Sequence, residues 1–96
     1  MHIISRKKLL DFIRKHPDSK SPLESWYKII RNSSFSSPVD MRRAFPSADG
    51  VGKFTVFNIG GNKYRLIAAI HYNRGKVYIR HVLTHRDYDR GDWKKD

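Results

Sequence analysis

The chain contains no cysteine, which excludes disulfides, thiolate nucleophiles and cysteine-bound zinc and suits a reducing cytoplasm. Acidic residues are scarce. Nine Asp and Glu stand against 20 Lys and Arg, for a formal charge of +11 over 96 residues. No stretch approaches the roughly 20 apolar residues that cross a bilayer. The first fifteen residues mix Ile3, Ile4, Leu9, Leu10, Phe12 and Ile13 with Arg6, Lys7, Lys8, Arg14 and Lys15, so they lack the unbroken apolar segment of a signal peptide. A cytoplasmic protein with no membrane contact is expected. The histidines His2, His16, His71, His81 and His85 show no paired ligand spacing and no acidic cluster accompanies them, so neither a metal nor another cofactor is expected.

What is abundant is positive charge, and it is not gathered in one tail. Residues 1–31 carry eight basic and three acidic residues, 32–62 three and two, and 63–96 nine and four. Interleaving with apolar residues places these cations on folded elements. A polyanion is the natural partner for such an excess, nucleic acid first and an acidic protein second.

The length fits one domain, spanning 1–96. Leu9, Phe12 and Ile13 share a helical face within residues 5–15, and His16-Pro17 ends that run. Ser21-Pro22-Leu23-Glu24 has the composition of a capping box, followed by Leu23, Trp26, Tyr27 and Ile30 at helical spacing. Ser37-Pro38-Val39-Asp40 repeats the start signal for a short third helix that ends before Pro46. Beyond Gly52 the period changes to two. Strands are expected over 54–59, 63–72 and 77–83, joined by a two-residue Gly60-Gly61 turn and by Asn73-Arg74-Gly75. The fold class is therefore α+β, with N-terminal helices packed on one face of a small antiparallel β-sheet.

Alternation assigns the faces. Tyr64, Leu66, Ala68, Ile70 and Tyr72 form the core side of the middle strand; Lys63, Arg65, Ile67, Ala69 and His71 form the other. On the last strand Val77, Ile79, His81 and Leu83 fall on one side and Tyr78, Arg80 and Val82 on the other, which puts Tyr78 and Arg80 beside Arg65 and Lys63. Cations held by a sheet can be aimed at one phosphate.

Met1-His2-Ile3-Ile4-Ser5, Phe45-Pro46-Ser47-Ala48-Asp49, the hairpin Asn58-Ile59-Gly60-Gly61-Asn62-Lys63-Tyr64-Arg65 and the later Thr84-His85-Arg86-Asp87-Tyr88-Asp89 together resemble the HigB-type toxins of bacterial toxin-antitoxin pairs. These belong to the RelE-like group of mRNA interferases. The resemblance covers nearly the whole chain. It implies the RelE-like toxin fold, a metal-independent endoribonuclease that cuts mRNA on the translating ribosome, and silencing by a cognate HigA-like helix-turn-helix antitoxin. Leu83 and Phe35 depart from the family pattern at positions where a smaller residue and a larger aromatic are expected. RelE-like toxins use arginine, lysine and tyrosine, which fits Arg65, Lys63 and Tyr88 by position.

Metal-free RNA scission needs a proton taken from the ribose 2′-hydroxyl, stabilisation of the phosphorane, and a proton for the departing oxygen. Arg65 suits the phosphate, since a guanidinium makes paired bonds and keeps its charge. Arg80 is a second clamp or leaving-group donor. An imidazole titrates near neutrality, so His85 is the acid or base, with Tyr88 as its partner or a stacking group. Lys53, Lys63, Tyr78 and Arg86 are expected to contact RNA. The competing reading is a non-catalytic RNA- or ribosome-binding basic module, using the same charge with tyrosines as stacking groups.

Overall fold

The computed structural model describes residues 1–95. Strand β1 (His2–Ile4) leads into α1 (Lys7–Lys15), a 3₁₀ turn at Pro17–Ser19, α2 (Lys20–Arg31) and α3 (Pro38–Ala44). Strands β2 (Asp49–Val51), β3 (Phe54–Ile59), β4 (Tyr64–His71) and β5 (Lys76–Thr84) follow, and the chain closes with α4 (His85–Arg90) and a 3₁₀ turn at Asp92–Lys95. The α+β class and the placement of the N-terminal helices on one sheet face agree with the pattern of periodicities. Among the described residues no helix is long and apolar enough to cross a membrane.

The sheet has five strands in the order β1-β5-β4-β3-β2. The β3-β4-β5 meander is its centre. Two three-residue strands were not expected: β2 pairs antiparallel with β3, and β1 pairs parallel with β5 across His2–Lys76 to Ile4–Tyr78. Ser5, with φ 74°, turns the chain from β1 into α1.

One face holds the main core. Leu9 from α1, Leu23, Trp26 and Ile30 from α2 and Met41 from α3 pack on Phe57, Ile59, Leu66, Ala68, Val77 and Ile79. Helix α2 starts earlier than the Ser21-Pro22 signal indicates. The 3₁₀ turn that begins at Pro17 runs straight into it, which leaves Pro22 inside the first turn, where a missing N–H costs nothing. The second start signal operates as read: Ser37 accepts from the Asp40 N–H at 3.2 Å, and Asp40 bonds back to Ser36.

The opposite face is also partly covered. Phe54, Val56, Ile67 and Trp93 form a second small core, with Val51, Ala69, Leu83 and Tyr88 packed against it. Leu83 lies here, not beside Val77 and Ile79, because a β-bulge interrupts the β4–β5 register. Ile67 pairs with His81 and Ala68 with Ile79, so Arg80 is the extra residue and every side chain after it changes face. Val82 joins the helix side, and His81 and Leu83 the other.

Candidate active site

The loop between β3 and β4 is where the singled-out residues begin to meet. Ile59 pairs with Tyr64, so the connection is the four residues 60–63 and not a two-residue turn. Gly60 and Gly61 both have positive φ (61° and 69°), a conformation that a Cβ would strain. Behind them, three successive carbonyls are occupied. Arg65 NH1 donates to Asn62 O at 3.2 Å and to Tyr64 O at 3.1 Å, while the His85 N–H donates to Lys63 O at 3.0 Å. One short peptide segment thus ties Arg65 to the start of α4.

Arg65 is 9 % exposed, so it is a buried cation and not a strand charge bathed in water. Both hydrogens of NH1 are committed to the loop, which leaves Nε and NH2 as its remaining donors. The Tyr88 ring lies 5.5 Å from its Cζ, a distance for cation–π attraction.

Helix α4 arises from local chemistry. Thr84 accepts from the Asp87 N–H at 3.1 Å as its N-cap, and Gly91, with φ 75°, ends it while donating to Tyr88 O at 3.1 Å. His85 and Asp89 lie one turn apart, with Nδ1 3.0 Å from a carboxylate oxygen, and both are exposed. That contact directs one ring nitrogen to the carboxylate and frees Nε2 for proton transfer. Asp87 and Asp92 flank Arg90 at 3.8 and 3.7 Å.

The remaining residues divide. Exposed Arg80 reaches over the second core with Cζ 6.0 Å from the Phe54 ring, and Lys53 sits 5.3 Å from the same ring, so both share the Arg65 face. Tyr78 packs edge-on against His71 at 5.2 Å, opposite Ala69. Arg86 is exposed on α4. Lys63 departs from the expected placement: it belongs to the loop, and its Nζ lies 3.0 Å from Asp18 in the turn before α2. The same carboxylate accepts the Tyr64 hydroxyl at 2.6 Å. The Tyr64 bond first and Lys63 second hold the Asp18 carboxyl below its ordinary value, and Asp18 in turn raises the Tyr64 phenol. Among the described residues no three His, Asp or Glu side chains gather as metal ligands would.

Two participants escaped the sequence reading. Asp89 has no catalytic role assigned from the sequence, although its i,i+4 spacing to His85 is a signal for an orienting partner. Trp93, buried and stacked on Tyr88 at 5.2 Å and 14°, had no assigned role.

Residues 19–91 match a family described as HigB toxin, the RelE-like toxic component of a toxin-antitoxin system. The chain is 37% identical over 93 residues to an mRNA interferase HigB of Escherichia coli O6:H1, covering 94% of this chain and 90% of that protein. It is 38% identical over 92 residues to the mRNA interferase toxin HigB of Escherichia coli K12, with 93% and 88% covered, and equally to an mRNA interferase HigB of Shigella flexneri.

Proposed function

The chain belongs to the HigB family of RelE-like toxins, and from that premise we propose how its residues perform the mRNA cleavage of an mRNA interferase. The observation that carries the reading is that the Arg65 guanidinium and the His85 backbone N–H both bond the Asn62–Tyr64 segment while the Tyr88 ring lies against Arg65. Arg65 acts as a fixed charge close behind the scissile phosphate. Burial raises its electrostatic effect at short range, and its loop bonds prevent it from relaxing away as charge develops. His85 exchanges the proton of the 2′-hydroxyl or the departing 5′-oxygen through Nε2, with Asp89 holding the ring. Tyr88 covers Arg65 and presents its hydroxyl at the same place.

Arg80, Lys53 and Arg86 follow the RNA backbone, and Tyr78 offers a ring for stacking. Lys63 serves the site indirectly, since its pairing with Asp18 steadies the loop that Arg65 and His85 grip. The substrate is mRNA on the translating ribosome in the cytoplasm, and a HigA-like helix-turn-helix antitoxin silences the toxin.

Pulsed expression tests this. Wild-type protein arrests growth and leaves transcripts with discrete new ends. His85→Ala and Arg65→Ala, each checked for folding, lose at least about 100-fold of the cleavage rate on programmed ribosomes, the size expected for removing a proton-transfer group or an oxyanion-type charge. Full toxicity of both folded variants would refute the assignment. Intact transcripts with salt-sensitive RNA binding by the wild type would support the non-catalytic binding module instead.

A further inference from the structure

Resting on that reading of Arg65, His85 and Tyr88, we infer that Trp93 is a positioning residue that docks α4 on the sheet and thereby sets Tyr88 over Arg65. Helix α4 has six residues and none of them is buried. So short a helix has little stability of its own, and only Tyr88 packs from it against the second core. The rest of its docking comes from its flanks. On the N-terminal side it is held by the Thr84 cap and the bond from His85 to Lys63 O. On the C-terminal side, Gly91 in the left-handed region turns the chain back, and Lys94 donates to Gly91 O at 3.1 Å to close the turn.

That reversal puts Trp93 beneath the helix. It is 4 % exposed, the one buried side chain beyond Thr84 among the described residues. Its ring stacks nearly parallel on Tyr88 and meets Phe54 edge-on at 6.2 Å. Its Nε1 donates to the Tyr88 carbonyl at 3.0 Å, so ring and backbone of the same residue are both held. The order is then sheet core, Trp93, Tyr88, Arg65. A tryptophan touching no reacting atom fixes the catalytic tyrosine from behind.

The test compares Trp93→Phe, which keeps an aromatic face, with Trp93→Leu, which keeps apolar bulk but loses both the stack and the N–H donor. Val56→Ala, which removes volume from the same small core and leaves the Trp93–Tyr88 stack and the Trp93 N–H bond in place, is the stability control. Cleavage of mRNA on programmed translating ribosomes is measured well below the Tm of each folded variant. Trp93→Leu is expected to lose about 100-fold in kcat with KM within about 3-fold, as for a reacting group displaced by about 1 Å. Trp93→Phe should recover most of that loss, and Val56→Ala should cleave at close to the wild-type rate. The inference is overturned if Trp93→Leu keeps wild-type kcat, if its loss lies wholly in KM, or if Val56→Ala loses as much. Arg65→Ala separates the two levels: an inactive Arg65→Ala beside a fully active Trp93→Leu refutes only the role of Trp93, whereas a fully active Arg65→Ala removes the site reading itself.

Discussion

Asp18 shows how one carboxylate serves two partners. It accepts the Tyr64 hydroxyl and pairs with Lys63, which together lower its proton affinity in the folded state. A depressed folded pKa contributes stability that is present above the unfolded value, near 3.8, and is lost as pH falls through the folded value. Tyr64 behaves in the opposite sense. Its raised phenol contributes below 10.0 and loses that contribution as pH rises through the folded value. Asp18→Asn is therefore expected to lower Tm at pH 6 to 8 by a nearly constant amount, with the gap to wild type closing as pH drops towards 3. A Tm difference that stays constant down to pH 3 would show that the ionised form of Asp18 contributes nothing. Arg65 carries the same lesson for the site: alternation told which face it occupies, but its two carbonyl bonds depend on a loop four residues long that composition alone did not disclose.

At the level of elements, capping separates stability from activity. Ser37 caps α3 on the helix-covered face, whereas Thr84 caps α4 beside Arg65. Ser37→Ala and Thr84→Ala should each cost about 1 kcal/mol. Only Thr84→Ala is expected to lower cleavage as well, because fraying the start of α4 releases His85; a Ser37→Ala variant with equal loss of rate would contradict this. Helices α1 and α2 and the β3-β4-β5 meander were legible because their apolar spacing runs for two or more turns or several alternations, and α3 through its Ser37-Pro38 start signal, whereas the six-residue α4 carries no such pattern. Strands β1 and β2 were not, since three residues carry too little pattern and derive their pairing from neighbours. The bulge at Arg80 has no local mark in Ile79-Arg80-His81, yet it moves His81 and Leu83 to the other face. Trp93 was hidden for a related reason: its partner Tyr88 is reached only through the left-handed turn at Gly91.

For the molecule as a whole, +11 charges share a body of 32 × 26 × 22 Å. At about 0.1 M salt the screening length is about 10 Å, so raising ionic strength through that range weakens repulsion across the protein. The fold should gain stability with salt. RNA binding should respond in the opposite direction, because each phosphate contacted releases a counterion. With Arg65, Lys53, Arg80 and Arg86 reaching phosphates, the slope of log affinity against log salt should be about −2.8 on single-stranded RNA. Arg80→Ala or Arg86→Ala should each flatten it by about 0.7 and leave the rise of Tm with salt nearly intact, because one charge among 20 hardly alters the mean repulsion. Measuring Tm and affinity on the same samples between 50 and 500 mM salt tests both signs at once. A Tm that fell with salt would mean that ion pairing outweighs repulsion within the fold, and an affinity indifferent to salt would mean that the exposed Lys53, Arg80 and Arg86 do not reach phosphates.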